Sequence, residues 1–165
     1  MTLTLPHVDR LTAIADAYAA APVYDPSAVR YWRDLAADSV DRAAYLRRRF
    51  AVVETADPEP YPDAPAMCED INAGRFTVST AHCDHPVWTV AENVAFRIVH
   101  DIDGHWTTGG DFGWTGENLA CGAHAADLAR RGHWAARQAL FTECIAQTAY
   151  ANAFGHFGEQ KVVLL

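Results

Sequence analysis

The sequence has no long hydrophobic segment and no basic leader. Its longest apolar runs fall well short of the ~18 residues that a membrane span requires, and the N-terminal segment MTLTLPHVDR has no basic stretch followed by an apolar one. No low-complexity run interrupts the 165 residues, of which 50% are hydrophobic and 21% are charged. We therefore expect one compact, cytoplasmic domain with no membrane partner.

Positive charge and paired cysteines are also scarce. The formal net charge of -8 repels nucleic-acid phosphates, so we expect no direct nucleic-acid partner. The four cysteines, Cys68, Cys83, Cys121 and Cys144, form no C-x-x-C pair, which excludes a zinc ribbon or a thioredoxin motif built from local spacing. No nucleotide loop or phosphate cradle is visible either. We therefore expect a small-molecule substrate of unspecified class. Whether the chain forms a homodimer is a separate question that the sequence leaves open.

Apolar residues recur at helical spacing through most of the chain. They predict helices over residues 7–22, from Ser27 to the arginines near residue 47, from Val90 to Gly104, from Thr115 to Arg131 and from His133 to Ala153. Two short runs rich in β-branched and aromatic residues, 50–54 and 75–80, could pair as a small sheet, with a proline-rich loop over 57–65 after the first. The prediction is a mainly α domain of about five helices with a two-stranded β element, in which residues of about 1–50 pack on a metal-site half of about 86–155.

Histidines are concentrated in the second half of the chain, where seven of the eight follow residue 80. His100 falls in the last turn of a predicted helix, and His105 comes directly after Gly104. A straight α-helix would place the two side chains ~140° apart. We therefore expect Gly104 to end the helix in a left-handed conformation that turns both imidazoles the same way.

Carboxylates on the next two predicted helices supply further candidate ligands. Glu117 and His124 are seven residues apart and share a helix face, as do Glu143 and Gln147, which are four apart. Glu143 lies in an apolar stretch, where a carboxylate is costly unless it is paired or bound to metal. Glu117 could instead be a carboxylate that stabilises the first turn of its helix.

Two histidines and one carboxylate on one side of an ion leave positions open for oxygen and substrate. Asp101 directly follows His100 and is placed either to orient a ligand histidine or to bind the ion itself. The sequence predicts metal ligands His100, His105 and Glu143, with Glu117, Asp101 and His124 as catalytic residues. Iron(II) is the preferred ion, and zinc or manganese are the alternatives. The other histidines of this half, His82, His85, His133 and His156, are expected to be ordinary polar residues.

The segment from His100 to His105 also resembles a family of small proteins and domains found in phages and actinobacteria. The matching positions are His100-Asp101-Ile102-Asp103-Gly104-His105, Phe112, Gly116-Glu117, Ala120, His124, Ala139-Leu140, Thr142-Glu143, Gln147 and Asn152. The resemblance extends from about residue 60 to the C-terminus, and that family has no firmly assigned activity. Its members usually carry an aromatic residue where this chain has Asp103.

The same segment is similar, more distantly, to the iron site of the aromatic amino acid hydroxylases. In those enzymes a His-Glu-x-x-Gly-His motif supplies two ligands, and a glutamate after a Phe-Thr pair supplies the third. The resemblance implies His100 and His105 as the histidines and Glu143, which follows Phe141-Thr142, as the carboxylate. This chain has Asp101 in place of the glutamate, and the pterin-binding part is not carried over.

A third resemblance is to the HD phosphohydrolases, whose metal-binding doublet is similar to His100-Asp101. That family also needs an upstream histidine and a distant aspartate, for which His82 or His85 and Asp127 stand at poor spacing. The zinc-peptidase motif H-E-x-x-H fits less well, because Asp101 replaces its glutamate. Three hypotheses follow: a non-haem iron(II) oxygenase, a zinc- or manganese-dependent hydrolase, and a structural metal-binding module.

Overall fold

The computed structural model describes residues 7–165, with side chains from residue 10 onward. The helices are α1 His7–Ala20, α2 Val29–Leu46, α3 Ala64–Asn72, α4 Val90–Val99, α5 Trp114–Arg130, α6 Ala136–Leu140 and α7 Gln147–Phe154. A first π-helical segment, His100–Trp106, continues α4, and a second, Phe141–Ala146, joins α6 to α7. The strands are β1 Ala51–Thr55 and β2 Arg75–Ser79. The predicted fold class, mainly α with a small two-stranded sheet, is confirmed.

The two strands pair in parallel, with Ala51 opposite Arg75 and Thr55 opposite Ser79. Parallel strands need a crossover connection, and α3 provides it. The side chain of Asp63 caps α3 by accepting a hydrogen bond from the Ala66 N–H at 2.9 Å. The proline-rich segment predicted as a loop therefore runs directly into a helix, which the sequence prediction did not include.

Two buried clusters meet at α4. The first is built around the aromatic and aliphatic side chains of α2 and the later helices, among them Trp32, Leu35, Trp88, Phe96, Leu128 and Leu140. The second joins the sheet and α3 to the other side of α4, with Met67, Ile71, Phe76, Ile98 and Ile102. Each such side chain contributes about 1.5–3 kcal/mol on burial. Packing on both sides therefore fixes α4 and the π-helical segment that continues it.

The C-terminal segment returns to the N-terminal helices. Val162 is buried and forms a parallel bridge with Tyr24. Lys161, the only lysine of the chain, is buried and donates from Nζ to the backbone carbonyls of Tyr18 at 2.7 Å and Ala21 at 2.5 Å. The end of the chain is thus anchored where α1 ends. None of the helices described over residues 7–165 combines the length and apolar character needed to cross a membrane.

Candidate metal centre

The first π-helical segment brings His100 and His105 together. A π-helix has hydrogen bonds between residues five apart, so two residues at this spacing lie one above the other. The ring centroids are 5.0 Å apart and the rings are nearly perpendicular. The predicted helix end at Gly104 is therefore wrong: the helix continues to Trp106 with a wider turn, and Gly104 does not have a positive φ.

Gly104 serves close packing against α5 instead. A Cβ atom at this position would stand 3.0 Å from the carbonyl oxygen of Ala120 and 3.1 Å from its Cβ. With no side chain at Gly104, α5 approaches the π-helical segment closely enough for its own Glu117 to reach both histidines. Gly104 thus allows α5 and the first π-helical segment to pack close together.

Glu117 lies between the two imidazoles. Its Oε2 is 3.2 Å from Nε2 of His100, and its Oε1 is 3.3 Å from Nε2 of His105. One ligand atom from each of the three residues lies within 4.8 Å of the other two, so the group could hold a metal ion. Donor atoms 3.2 and 3.3 Å apart fit around one ion with bonds of about 2.1 Å and about 100° between them.

The hydrogen bond made by Nδ1 of His105 determines whether Nε2, the atom that faces Glu117, carries a proton or a lone pair. His105 Nδ1 lies 3.1 Å from the Gly110 carbonyl oxygen, which can only accept, so Nδ1 carries the proton. In the neutral ring Nε2 is then an acceptor directed at a carboxylate oxygen, and two acceptors repel. Either a second proton or a cation between them removes that repulsion, and a metal-binding histidine is oriented in the same way.

A tight loop holds the Gly110 carbonyl in this position. Residues 109–113 fold back on the first turn of α5, where a Cβ at Gly116 would lie 2.0 Å from the Asp111 carbonyl oxygen. A side chain at Gly116 is therefore incompatible with this loop. The glycine next to Glu117 in the sequence thereby supports the hydrogen bond made by His105.

The site favours a negative charge on Glu117 and a proton or cation beside it. Burial alone would raise the pKa of the Glu117 carboxyl, but hydrogen bonds from His100 and His105 and their charges lower it to about 2. Burial lowers the pKa of His105, and the Glu117 carboxylate, Asp101 and the Gly110 carbonyl together raise it above its usual value. A positive charge beside the Glu117 carboxylate is therefore stabilising, and a bound cation would supply one.

His100 has a thiol on its other side. Its Nδ1 lies 3.5 Å from Sγ of Cys144, which belongs to the second π-helical segment. Burial, together with the neighbouring Cys121 thiol, holds the pKa of Cys144 well above its usual value, so the group is a neutral thiol. Cys144 is not predictable as a neighbour of His100 from the sequence, because nothing in the spacing of scattered cysteines indicates which one faces a histidine.

Glu143, predicted as the third ligand, is not a member of this group of described residues. Its Oε2 accepts a hydrogen bond of 2.5 Å from Nε2 of Gln147, and its side chain lines a separate cavity. The carboxylate next to the histidines is Glu117. Glu143 directly precedes Cys144, which is the residue of that segment that faces the imidazole of His100.

Asp101 and His124, predicted as catalytic residues, flank the group without joining it. Asp101 is partly buried; burial raises the pKa of its carboxyl, and the charges of His100 and His105 oppose that rise. His124 is fully buried with its ring centroid 5.8 Å from that of His100, and neither of its ring nitrogens has a hydrogen-bond partner among residues 7–165. Burial and the charge of His100 hold the pKa of His124 well below its usual value, so its ring is neutral.

Asp103 and His85 have structural partners. Nε and Nη2 of Arg42 donate to the two carboxylate oxygens of Asp103 at 2.6 and 2.8 Å, which ties α2 to the π-helical segment. His85 packs between Trp32 and Trp88, and its Nδ1 accepts hydrogen bonds from the N–H groups of Val87 and Trp88. Asp103 and His85 therefore stabilise the fold around the candidate centre and are not members of the ligand group.

A cavity of about 460 Å³ adjoins the group. Asp101 and Phe112 belong to its wall, and the ring centroid of Phe112 lies 5.3 Å from that of His105. Tyr61, Thr77 and the side chain of Arg97 form other parts of the wall. The volume is within the range of small-molecule sites.

Comparison of the chain with protein-family models, with curated proteins and with solved structures gave no match. A function for this protein therefore has to be argued from the side chains of the site.

Proposed function

We propose that this protein is a mononuclear, non-haem iron(II) oxygenase that acts on a small molecule, with the ion held by His100, His105 and Glu117. The observation that supports it is the arrangement of the three side chains. Both Nε2 atoms face the two oxygens of one carboxylate, at 3.2 and 3.3 Å. Two histidines and a carboxylate on one face of an ion leave positions open, which is the arrangement typical of oxygen-activating iron enzymes.

The protein groups around the ion each have a separate task. The Gly110 carbonyl fixes the tautomer of His105, and the Cys144 sulfur lies against Nδ1 of His100. Asp101, which follows the ligand His100, and Phe112, which packs on His105, line the adjoining cavity, in which the substrate would bind. Iron(II), when bound, would supply a redox-active centre with positions open to oxygen, and the buried setting of His100 and His105 would keep water from the reacting atoms.

A zinc- or manganese-dependent hydrolase is the second candidate, and the position of Asp101 favours it. This carboxyl follows a ligand histidine, lines the cavity and lies within electrostatic range of all three proposed ligands. A bound zinc ion lowers the pKa of water, and a carboxylate so placed could accept the proton that is released. The identity of the metal separates the two candidates.

Metal analysis of protein purified without added metal tests the proposal. We expect about one ion per chain, and we expect Glu117→Ala and His105→Ala to lose at least about 90% of it, since two remaining ligands hold an ion weakly. Glu69→Ala, at an exposed position of α3, is the matched control and should keep the wild-type content. Retention of the ion by Glu117→Ala would refute the ligand set.

Iron in the purified protein and oxygen consumption that depends on added iron(II) would support the oxygenase. Tightly bound zinc, with no oxygen consumption after iron loading, would refute it and favour the hydrolase. In that case Asp101→Asn should abolish hydrolysis while leaving the zinc content unchanged, because Asp101 is not a member of the ligand group.

A further inference from the structure

A second cavity, of about 630 Å³, shares part of its wall with the first. Arg97 and Pro58 belong to the walls of both cavities, so the two spaces adjoin. Polar side chains in the second wall include Glu143, Gln147, Gln160 and Asp84, and Phe157 supplies an apolar surface. This cavity has no part in holding the metal ion.

Glu143 is a half-buried carboxylate of this wall, and its hydrogen-bond partners are neutral. Nε2 of Gln147 donates to its Oε2 at 2.5 Å and to Oε1 of Gln160 at 2.9 Å. These amides orient the carboxylate but carry no charge, and within residues 7–165 no salt bridge to Glu143 is found. Only the charge of Arg97, from a distance, and the amides oppose the rise in the pKa of Glu143 that burial causes. A carboxylate in such a setting without an ion-pair partner is costly, and a cation in the cavity would offset that cost.

Arg97 does not neutralise Glu143 by direct contact. Its guanidinium donates to the backbone carbonyls of Ser79 at 3.1 Å, Ala81 at 2.8 Å and His82 at 2.9 Å. These bonds hold the segment that forms the rim, including His82, which has a φ of 53° and is the one non-glycine residue with positive φ among the described residues. The N–H groups of Arg97 are thus engaged in shaping the cavity, and few remain for an anionic ligand.

We propose that the second cavity binds the ammonium group of a small organic amine, with Glu143 as its counter-ion and Phe157 against its apolar body. Anchored there, the molecule extends past Pro58 and Arg97 into the first cavity, toward Asp101 and Phe112. The inference that this amine is the substrate rests on the proposed function. The amine site itself does not depend on the metal.

The test compares three probes of similar shape and different charge: 4-phenylbutylamine, 4-phenylbutanol and 4-phenylbutyrate. Binding to the purified protein is measured by calorimetry at about pH 8, where Glu143, whose pKa is raised by burial to about 7, is ionised. We expect the amine to bind at least about tenfold more tightly than the alcohol, as a charged hydrogen bond provides, and the butyrate to bind most weakly.

Glu143→Gln keeps the shape of the side chain and removes its charge, so it should abolish the preference for the amine. The matched control, Glu69→Gln, makes the same change on the exposed surface of α3 and should retain the preference. Equal binding of amine and alcohol by the wild-type protein, tighter binding of the butyrate, or no binding of any probe at about 10 mM would overturn the proposal. The comparison of probes on the wild-type protein stands even if a variant fails to fold.

The same samples separate this inference from the proposed function. Metal content is measured before the titrations, and the titrations are repeated after chelation. A protein that holds no metal as purified and still binds the amine would refute the metalloenzyme and leave the amine site intact. Loss of amine binding after chelation would refute an amine site that is independent of the metal. A normal metal content without preference for the amine would refute the amine site alone.

Discussion

Replacing Gly104 by alanine should weaken the contact that brings α5 to the first π-helical segment. In an open helical position this change stabilises a protein by about 0.5–1 kcal/mol, because glycine loses more backbone entropy on folding. At Gly104 the new methyl group would stand 3.0 Å from the Ala120 carbonyl oxygen. Forced overpacking of this kind costs about 1–3 kcal/mol. We expect a net destabilisation of about 1 kcal/mol.

Gly122 provides a matched control on the facing helix. It lies inside α5, is exposed, and a Cβ added there meets no atom within 4 Å. Gly122→Ala should therefore stabilise the protein by about 0.5–1 kcal/mol. The two variants make the same chemical change and differ in what the methyl group meets, so their difference, about 1.5–2 kcal/mol, isolates the helix contact.

Urea denaturation at neutral pH, with metal content measured on the same preparations, tests this expectation. For a chain of this length 1 kcal/mol corresponds to a shift of about 2–4 °C in Tm, so thermal melting gives an independent check. Gly104→Ala should also bind metal more weakly, because separating the helices moves Glu117 away from the histidines. A Gly104→Ala protein as stable as Gly122→Ala would refute the close-packing role of Gly104.

Three further predictions concern residues outside the metal centre. The pKa of His85 is lowered by burial and by the charge of a nearby arginine from 6.5 to about 4, so the unfolded chain binds the extra proton first and stability falls as the pH drops from about 6.5 to 4. The full shift in pKa corresponds to about 3 kcal/mol of stability, which partial exposure reduces to about 2 kcal/mol. His85→Asn should remove this part of the pH dependence, measured by urea denaturation at about pH 6.5 and about pH 4. Asp103→Asn should lower the free energy of unfolding by about 1–3 kcal/mol. A double-mutant cycle with Arg42→Met should give a non-zero coupling energy, whereas additive effects of the two substitutions would contradict the ion pair. Lys161→Met leaves backbone carbonyls at the end of α1 without a donor and should cost about 1–3 kcal/mol, which an unchanged urea midpoint would contradict.

The fold class follows from the sequence because long amphipathic segments show a clear period. Gly132 directly follows the helix predicted to end at Arg131, Gly155 lies two residues beyond the helix predicted to end at Ala153, and both glycines have a positive φ. The helix α3 is hidden because its nine residues follow a proline-rich run that is typical of a loop. Proline is nevertheless compatible with the first turn of a helix, where its missing N–H has no partner to lose, and the Asp63 cap is the signal that indicates the start.

The site is predictable to the extent that it depends on local spacing. His100 and His105 are identified by the concentration of histidines in the second half of the chain and by the glycine between them. The sequence nevertheless favours a left-handed turn over a π-helical one, because no residue pattern marks a π-helix. The choice between Glu117 and Glu143 depends on how three helices pack. An apolar neighbourhood indicates that Glu143 is buried, and it does not indicate whether a metal ion, an amide or a ligand compensates the burial.

Each π-helical segment is equivalent to one extra residue accommodated inside an α-helix. If the first segment kept all its residues and relaxed to ordinary α-helical hydrogen bonding, the side chains of His100 and His105 would lie about 140° apart. Every residue beyond them would turn by about 100° and shift by about 1.5 Å relative to the core. The Gly110 carbonyl could then no longer meet His105, so the more regular helix would lose the grouping of the two histidines with Glu117. A regular backbone and this grouping of side chains are therefore competing demands on this part of the chain.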